Sequence, residues 1–423
     1  MQNKKNKPNI CNVVKIIRLY NNITLAEMSD KTGITQSRIS KIERGIESVS
    51  EETLRKIEKG ISFKIERNNE SKNFIDSIYF EFLNRLFDDD DYVLFYENLS
   101  IDYLKLMMSN DFYKILLCEF IISINKGNNK YCDDLERTLI QLNLDSLSAQ
   151  IFSHYQAYYQ YTLGNIDIAI QKYKETLTIN YNPKTHAMIH YHLALAFKDK
   201  NQLIDMYKSI NLSKGYFIEH VAFRRMLYCD MNLATVYSRL GAVDEALNIY
   251  EQCIKLMTNL NCSIHLKATA YRNIAWIHIQ NKNYLKAIET LKIAEQIKAN
   301  NQLAILYNIW CYYMIGNHKM TDMWISRGDK IIKDYPLEFV LLKNLYKSKN
   351  CPNSLKRLIN DCQILLESLS KIPDYELIDF YEDILIELHV KNNDYKTAFL
   401  LLKEQKNRNK IQKMSTFFLK NRI

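Results

Sequence analysis

Gln36, Ser37, Arg38, Lys41 and Arg44 follow a Thr-Gly turn at the spacing of one outward helix face. Their chemistry is that of groups that read nucleic acid. A carboxamide pairs with adenine, a guanidinium or ammonium with guanine or phosphate, a hydroxyl with either. Ile34, Ile39 and Ile42 fall on the opposite face and are expected to point inward. Gln36 and Ser37 in the first turn are placed for base edges, with Arg38 and Lys41 reaching a guanine edge or a phosphate. Arg44 and Thr24 suit backbone phosphates, which position a protein without specifying sequence.

These residues need a frame. Thr24 is an N-cap candidate with Glu27 three residues on, which predicts a capping box. That helix runs through Met28 to Gly33, a residue able to take the left-handed turn conformation. Thr35 is a second N-cap candidate, and Gly45 stops the second helix. Val13, Ile16, Ile17 and Leu19 supply a preceding helix, and Ser50-Glu51-Glu52 starts a following one with acids in its first turn. Two short helices joined by a tight turn are the layout of a helix-turn-helix. Residues 1–67 hold 14 Lys/Arg against 8 Asp/Glu, so most of the net +9 of the chain sits here. The arm Met1–Pro8 is basic and polar and is expected to be a solvated tail.

Over residues 12–61, and most closely in ITQSRISKIERG, the segment resembles the XRE/Cro-type helix-turn-helix family. The resemblance implies binding to a double-stranded DNA operator through the residues named. Leu25 departs from it, standing where the family often has a phosphate-contacting Gln.

At 423 residues the chain exceeds one ordinary domain. Nine Gly and five Pro are few, which argues for long helices over a turn-rich sheet fold. Nine Cys without CxxC pairs fit reduced thiols and, with no secretory signal, a cytoplasmic protein. The most apolar run, Ile115–Ile124, contains Glu119 and is too short for a membrane span, so no membrane partner is expected. His186 and His190 share a helix face but lack a third ligand, and Asp88–Asp91 reads as a solvated turn. No phosphate-cradling glycine loop, nucleophile elbow or paired-acid motif occurs, so neither enzyme activity nor a cofactor is expected.

From residue 70 onward the chain repeats loosely. Tyr158–Leu177, Met231–Ile254, Tyr271–Ala294 and Tyr381–Gln405 each read as an apolar helix, a turn with Gly or Asn, and a second helix. The second helix holds a small residue (Ala169, Ala246, Ala287, Ala398) and a larger one a turn later (Tyr173, Tyr250, Leu291, Leu402). Ala lets two helices approach, and the larger side chain fills the next gap. These features resemble tetratricopeptide repeats, although Ala246 to Ala287 is 41 residues, longer than the usual period of about 34. The expected fold is all-α: a helix-turn-helix domain (1–61), a linker (62–73), degenerate helical hairpins (74–150), a tetratricopeptide-like right-handed α-solenoid (151–405) and a basic helix or tail (406–423).

A solenoid offers a concave face to an extended peptide. His192, Asn232, Asn273 and Asn308 recur at one position of successive hairpins, and carboxamides there could clamp a peptide backbone. Arg224, Arg225, Arg239 and Arg272 could take a carboxylate, and Tyr228, Tyr237, Trp276 and Tyr312 could form apolar pockets.

A Cro-like reader followed by such a body resembles the RRNPP family of quorum-sensing regulators, with a layout like its NprR/PlcR branch or the phage arbitrium receptors. The resemblance implies a cytoplasmic, homodimeric transcription regulator that binds a short signalling oligopeptide, the peptide altering dimer geometry and operator binding. Two other readings stay open: a scaffold that binds a partner protein, and a bifunctional regulator that also acts on a response regulator.

Overall fold

The computed structural model describes residues 10–62, 64–65, 70–89, 91–178, 182–260, 262–348, 354–371 and 375–420, the last dozen as backbone alone. Two compact units divide the chain, residues 1–189 and 190–423. Among the described residues all regular structure is helical. None of these helices is long and apolar enough to cross a membrane.

The first unit opens with α1 (Cys11–Tyr20), α2 (Leu25–Thr32), α3 (Gln36–Glu43) and α4 (Glu51–Ile61). It continues through α5 (Glu70–Asp88), α6 (Tyr92–Glu97), α7 (Tyr103–Leu106), α8 (Tyr113–Asn125), α9 (Asn129–Leu139), α10 (Ser146–Thr162) and α11 (Ile166–Thr178). The boundary between units falls inside α12 (Pro183–Asp199).

The expected capping box closes α2. Thr24 Oγ1 accepts from Glu27 N, and the Glu27 carboxylate accepts from Thr24 N at 2.7 Å. Gly33 ends the helix with φ +66°, a conformation a side chain would strain. Thr35 is the N-cap of α3 by position, but its side chain makes no cap hydrogen bond. Ile34, Ile39 and Ile42 are buried as expected.

An apolar core of the first unit runs from Ile10 to Tyr159. The segment 62–73 reads in the sequence as a polar, charged linker. Phe63 and residues 66–69 lie outside the described residues, but Ile65 is buried in this core and α5 begins at Glu70. An apolar side chain in that segment draws the chain inward, where composition alone reads as polar. The run Ile115–Ile124 is the centre of the same core, on α8. The arm Met1–Pro8, Asp90 and Cys351 lie outside the described residues. The other eight cysteines are buried.

The second unit is a series of antiparallel hairpins: α13 (Leu203–Glu219), α14 (Phe223–Arg239), α15 (Val243–Asn259), α16 (Ile264–Gln280), α17 (Tyr284–Ile297), α18 (Gln302–Met314), α19 (His318–Ile331), α20 (Pro336–Lys347), α21 (Leu355–Lys371), α22 (Tyr375–Lys391) and α23 (Tyr395–Lys420). Ala246 and Ala287 are completely buried, with Tyr250 and Leu291 filling the adjoining space. One turn recurs between helices. At Gly241 (φ +80°) the next amide, Ala242 N, donates to the carbonyl of Tyr237. Val221 (φ +59°) and Lys282 (φ +59°) adopt the same turn without glycine. Within this unit α23 packs on α13, and the aromatic face of α22 meets α16. The segment 406–420 continues α23. The fold is all-α, a helix-turn-helix followed by a tetratricopeptide-like α-solenoid.

Candidate functional site

The first site is the exposed face of α3. Gln36, Ser37, Lys41 and Arg44 are exposed there, while Arg38 and Ser40 are half-buried. Arg38 Nε donates to Glu47 Oε1 at 2.7 Å and its Nη2 to Thr53 Oγ1 at 3.2 Å. A pair this open to solvent contributes little and gives way readily to a stronger anion. Thr24 is more committed than its sequence position suggests. Its hydroxyl donates to Glu27 Oε2 at 2.9 Å, which uses the proton a phosphate contact would need. Capping and phosphate binding therefore compete at Thr24. Leu25 is half-buried and packs on the core.

Two contacts hold α3 in place. Arg18 grips the Glu43 carboxylate through Nε at 2.6 Å and Nη2 at 2.9 Å, and this hydrogen-bonded partner raises the Arg18 pKa. The second is a knot of asparagines that sequence reasoning missed. Asn12 is fully buried and donates to the carbonyls of Asn110 (3.2 Å) and Asn143 (2.8 Å). Its Oδ1 accepts from Asn143 N at 2.8 Å, and Asn12 N donates to Asn110 Oδ1 at 2.9 Å. Asn143 Nδ2 then donates to the carbonyl of Glu43, at the end of α3. Helix α3 is thus tied to the loops that precede α8 and α10.

The second site is a groove of about 380 Å³ in the second unit. Arg239, Arg272, Asn273 and Trp276 line it together with Lys198, Tyr250, Tyr307 and Glu376. Arg239 donates to Asn201 Oδ1 and stands 3.7 Å from Glu376 Oε1. Trp276 Nε1 donates to Glu376 Oε2 at 3.0 Å, and its ring stacks on Tyr307 at 5.0 Å. Asn273 Nδ2 donates to the Tyr250 hydroxyl at 3.1 Å, and that hydroxyl donates to the carbonyl of Met231. Burial pushes the Tyr250 pKa up to about 12, so the hydroxyl stays a donor. A small apolar cavity of about 20 Å³, room for one water, adjoins the groove, sharing Trp276 and Tyr307 and adding Trp310, Phe380 and Glu338.

The four aligned polar residues do not form a continuous ladder. Only Asn273 lines the groove. Asn232 and Asn308 donate to the carbonyls of Tyr228 and Ala304, one turn back on their own helices, both at 2.8 Å. An amide satisfied by its own helix has less reason to face the groove, and Asn308 and His192 are buried. Arg225 is buried as well, while Arg224, Tyr228, Tyr237 and Tyr312 are half-buried outside the groove lining. Among the described residues no group of His, Cys, Asp or Glu is placed to hold a metal ion.

Comparisons with known proteins match these two parts. Residues 14–66 match the helix-turn-helix family model, and residues 225–300 match the tetratricopeptide repeat model. The chain is 22% identical over 299 residues to the transcriptional activator NprA of Geobacillus stearothermophilus, covering 64% of this chain and 70% of that protein. Its fold is similar to that of a Rap protein complexed with Competence and Sporulation Factor (TM-score 0.58, 19% identity, 82% of this chain and 97% of that one). It is also similar to NprR in complex with its cognate peptide NprX (TM-score 0.57, 17% identity, 78% and 99%). The class is therefore a helix-turn-helix protein with a tetratricopeptide body. In fold the chain is similar to the NprR and Rap structures, and it carries an N-terminal helix-turn-helix match.

Proposed function

We propose that the protein is a transcription regulator that binds an operator through α3 and a short peptide in the groove of its second unit, and that the two events are linked. The observation that carries this reading is the groove itself. Arg272 is half-buried there, and its side chain has no hydrogen-bond or ion-pair partner among the described residues. A guanidinium, a carboxamide with an uncommitted oxygen and an indole line one groove. That combination suits an oligopeptide backbone and one anionic group.

The exposed Gln36, Ser37, Lys41 and Arg44 support the operator half of the reading, together with the basic balance of residues 1–67. The relative NprA is a transcriptional activator, and NprR, of similar fold, was solved in complex with its cognate peptide. In this reading the protein acts as a homodimer in the cytoplasm, since two reading helices at fixed spacing match two half-sites. Peptide shifts operator affinity only by its differential preference for the DNA-competent state.

The test of the groove is calorimetry of a peptide selected on the full chain, with wild type and Asn273→Ala. Loss of about 1–2 kcal/mol in the variant is expected for one backbone clamp. Equal affinity removes Asn273 from the clamp.

A further inference from the structure

The groove already contains an acid supplied by the protein. Glu376 opens α22 and places its carboxylate against both Arg239 and the Trp276 indole. The lining holds three cations, Lys198, Arg239 and Arg272, against two acids, Asp199 and Glu376. Neither the Lys198 nor the Arg272 side chain has a hydrogen-bond or ion-pair partner among the described residues. Beside this charged floor, Trp276 stacks on Tyr307 and touches Phe380 at 5.2 Å, at the mouth of the apolar pocket. Trp310 Nε1 is buried in that pocket wall with no hydrogen-bond partner among the described residues.

We infer, on the reading of this groove as a peptide site, that its ligand carries a carboxylate next to a large apolar side chain and binds by displacing Glu376 from Arg239 and Trp276. Glu376 is an internal competitor. It neutralises one guanidinium while the groove is empty and sets how strong an incoming acid must be. Arg272 receives that acid first because it has no internal partner to give up. The apolar side chain packs on the groove-facing rings of Trp276 and Tyr307. A neutral peptide leaves Glu376 in place and gains only the apolar contact, so Glu376 selects against it.

The carboxylate has two sources, an Asp or Glu side chain or the peptide's own C terminus. The experiment separates them. Two random heptapeptide libraries are selected on the full chain, one anchored through its C-terminal end and one displayed with that end free. Enrichment of Asp or Glu in the first assigns a side-chain acid; enrichment confined to the second assigns the terminal carboxylate. Either result supports the inference if two variants agree. Arg272→Gln is expected to weaken the selected peptide about tenfold or more. Glu376→Gln keeps an acceptor for Trp276 but removes the competing charge, and is expected to tighten the peptide about five- to fiftyfold. Selected peptides without an acid, or unchanged or weaker binding to Glu376→Gln with native circular dichroism, overturn the inference and leave the peptide reading standing. No enrichment from either library overturns both.

Discussion

Asn12→Leu tests how α3 is held. Leu has nearly the shape of Asn but cannot hydrogen-bond. The Asn12 amide makes three bonds of 2.8–3.2 Å in a site closed to solvent. Each contributes about 1 kcal/mol net, and leaving Asn143 N and two carbonyls buried without partners adds to this, giving about 3–5 kcal/mol. Asn12→Ala leaves a gap that admits water, so it is expected to cost less, about 1–3 kcal/mol. The order Leu worse than Ala is the reverse of what an apolar site gives. A chain with two compact units need not unfold in one step, so the assay is hydrogen exchange read segment by segment. Protection of α1 and α3 is expected to fall by these amounts while α15 to α17 stay unchanged. A loss under about 0.5 kcal/mol for Asn12→Leu, or Ala worse than Leu, refutes the asparagine knot as the anchor.

Gln36→Ala is expected to cost about 1–3 kcal/mol on a selected operator and to relax preference at one base pair, whereas Lys41→Ala weakens all duplexes alike and flattens the salt dependence; anisotropy titrations on matched and mismatched duplexes check both. Val221→Gly relieves a β-branched residue held at φ +59° on an exposed turn, and is expected to stabilise the second unit by about 1 kcal/mol in thermal unfolding. Burial raises the Glu338 pKa above its ordinary value. The proton-bound form is therefore favoured in the folded state, and the stability this gives is present at low pH and lost as pH rises through the folded pKa. Glu338→Gln should stabilise the second unit at pH 7 and change little at pH 4, as urea midpoints at the two pH values will show.

The helix-turn-helix was legible because its signals are local. Thr24 and Glu27 are three residues apart, and Gly33 marks the turn between the helices. The repeats were legible where Ala and a larger residue recur at one-turn spacing. The turns at Val221 and Lys282 carry no glycine, so their conformation left no trace in composition. Asn12 stands 98 residues from Asn110 and 131 from Asn143, and an isolated Asn gives no hint of a buried network. Aligning repeats found Asn273, but it could not tell an amide facing the groove from one turned to its own helix, as at Asn232 and Asn308. Glu376 was invisible for the same reason as Asn12: its partners Arg239 and Trp276 lie far back in the chain.

The central claim is that operator and peptide are linked through one protein. The most direct measurement is operator affinity at fixed salt with and without a groove-binding peptide, paired with peptide affinity with and without operator. Linkage requires the same factor in both directions, expected at about five- to 150-fold. Operator affinity that stays unchanged at saturating peptide contradicts the account.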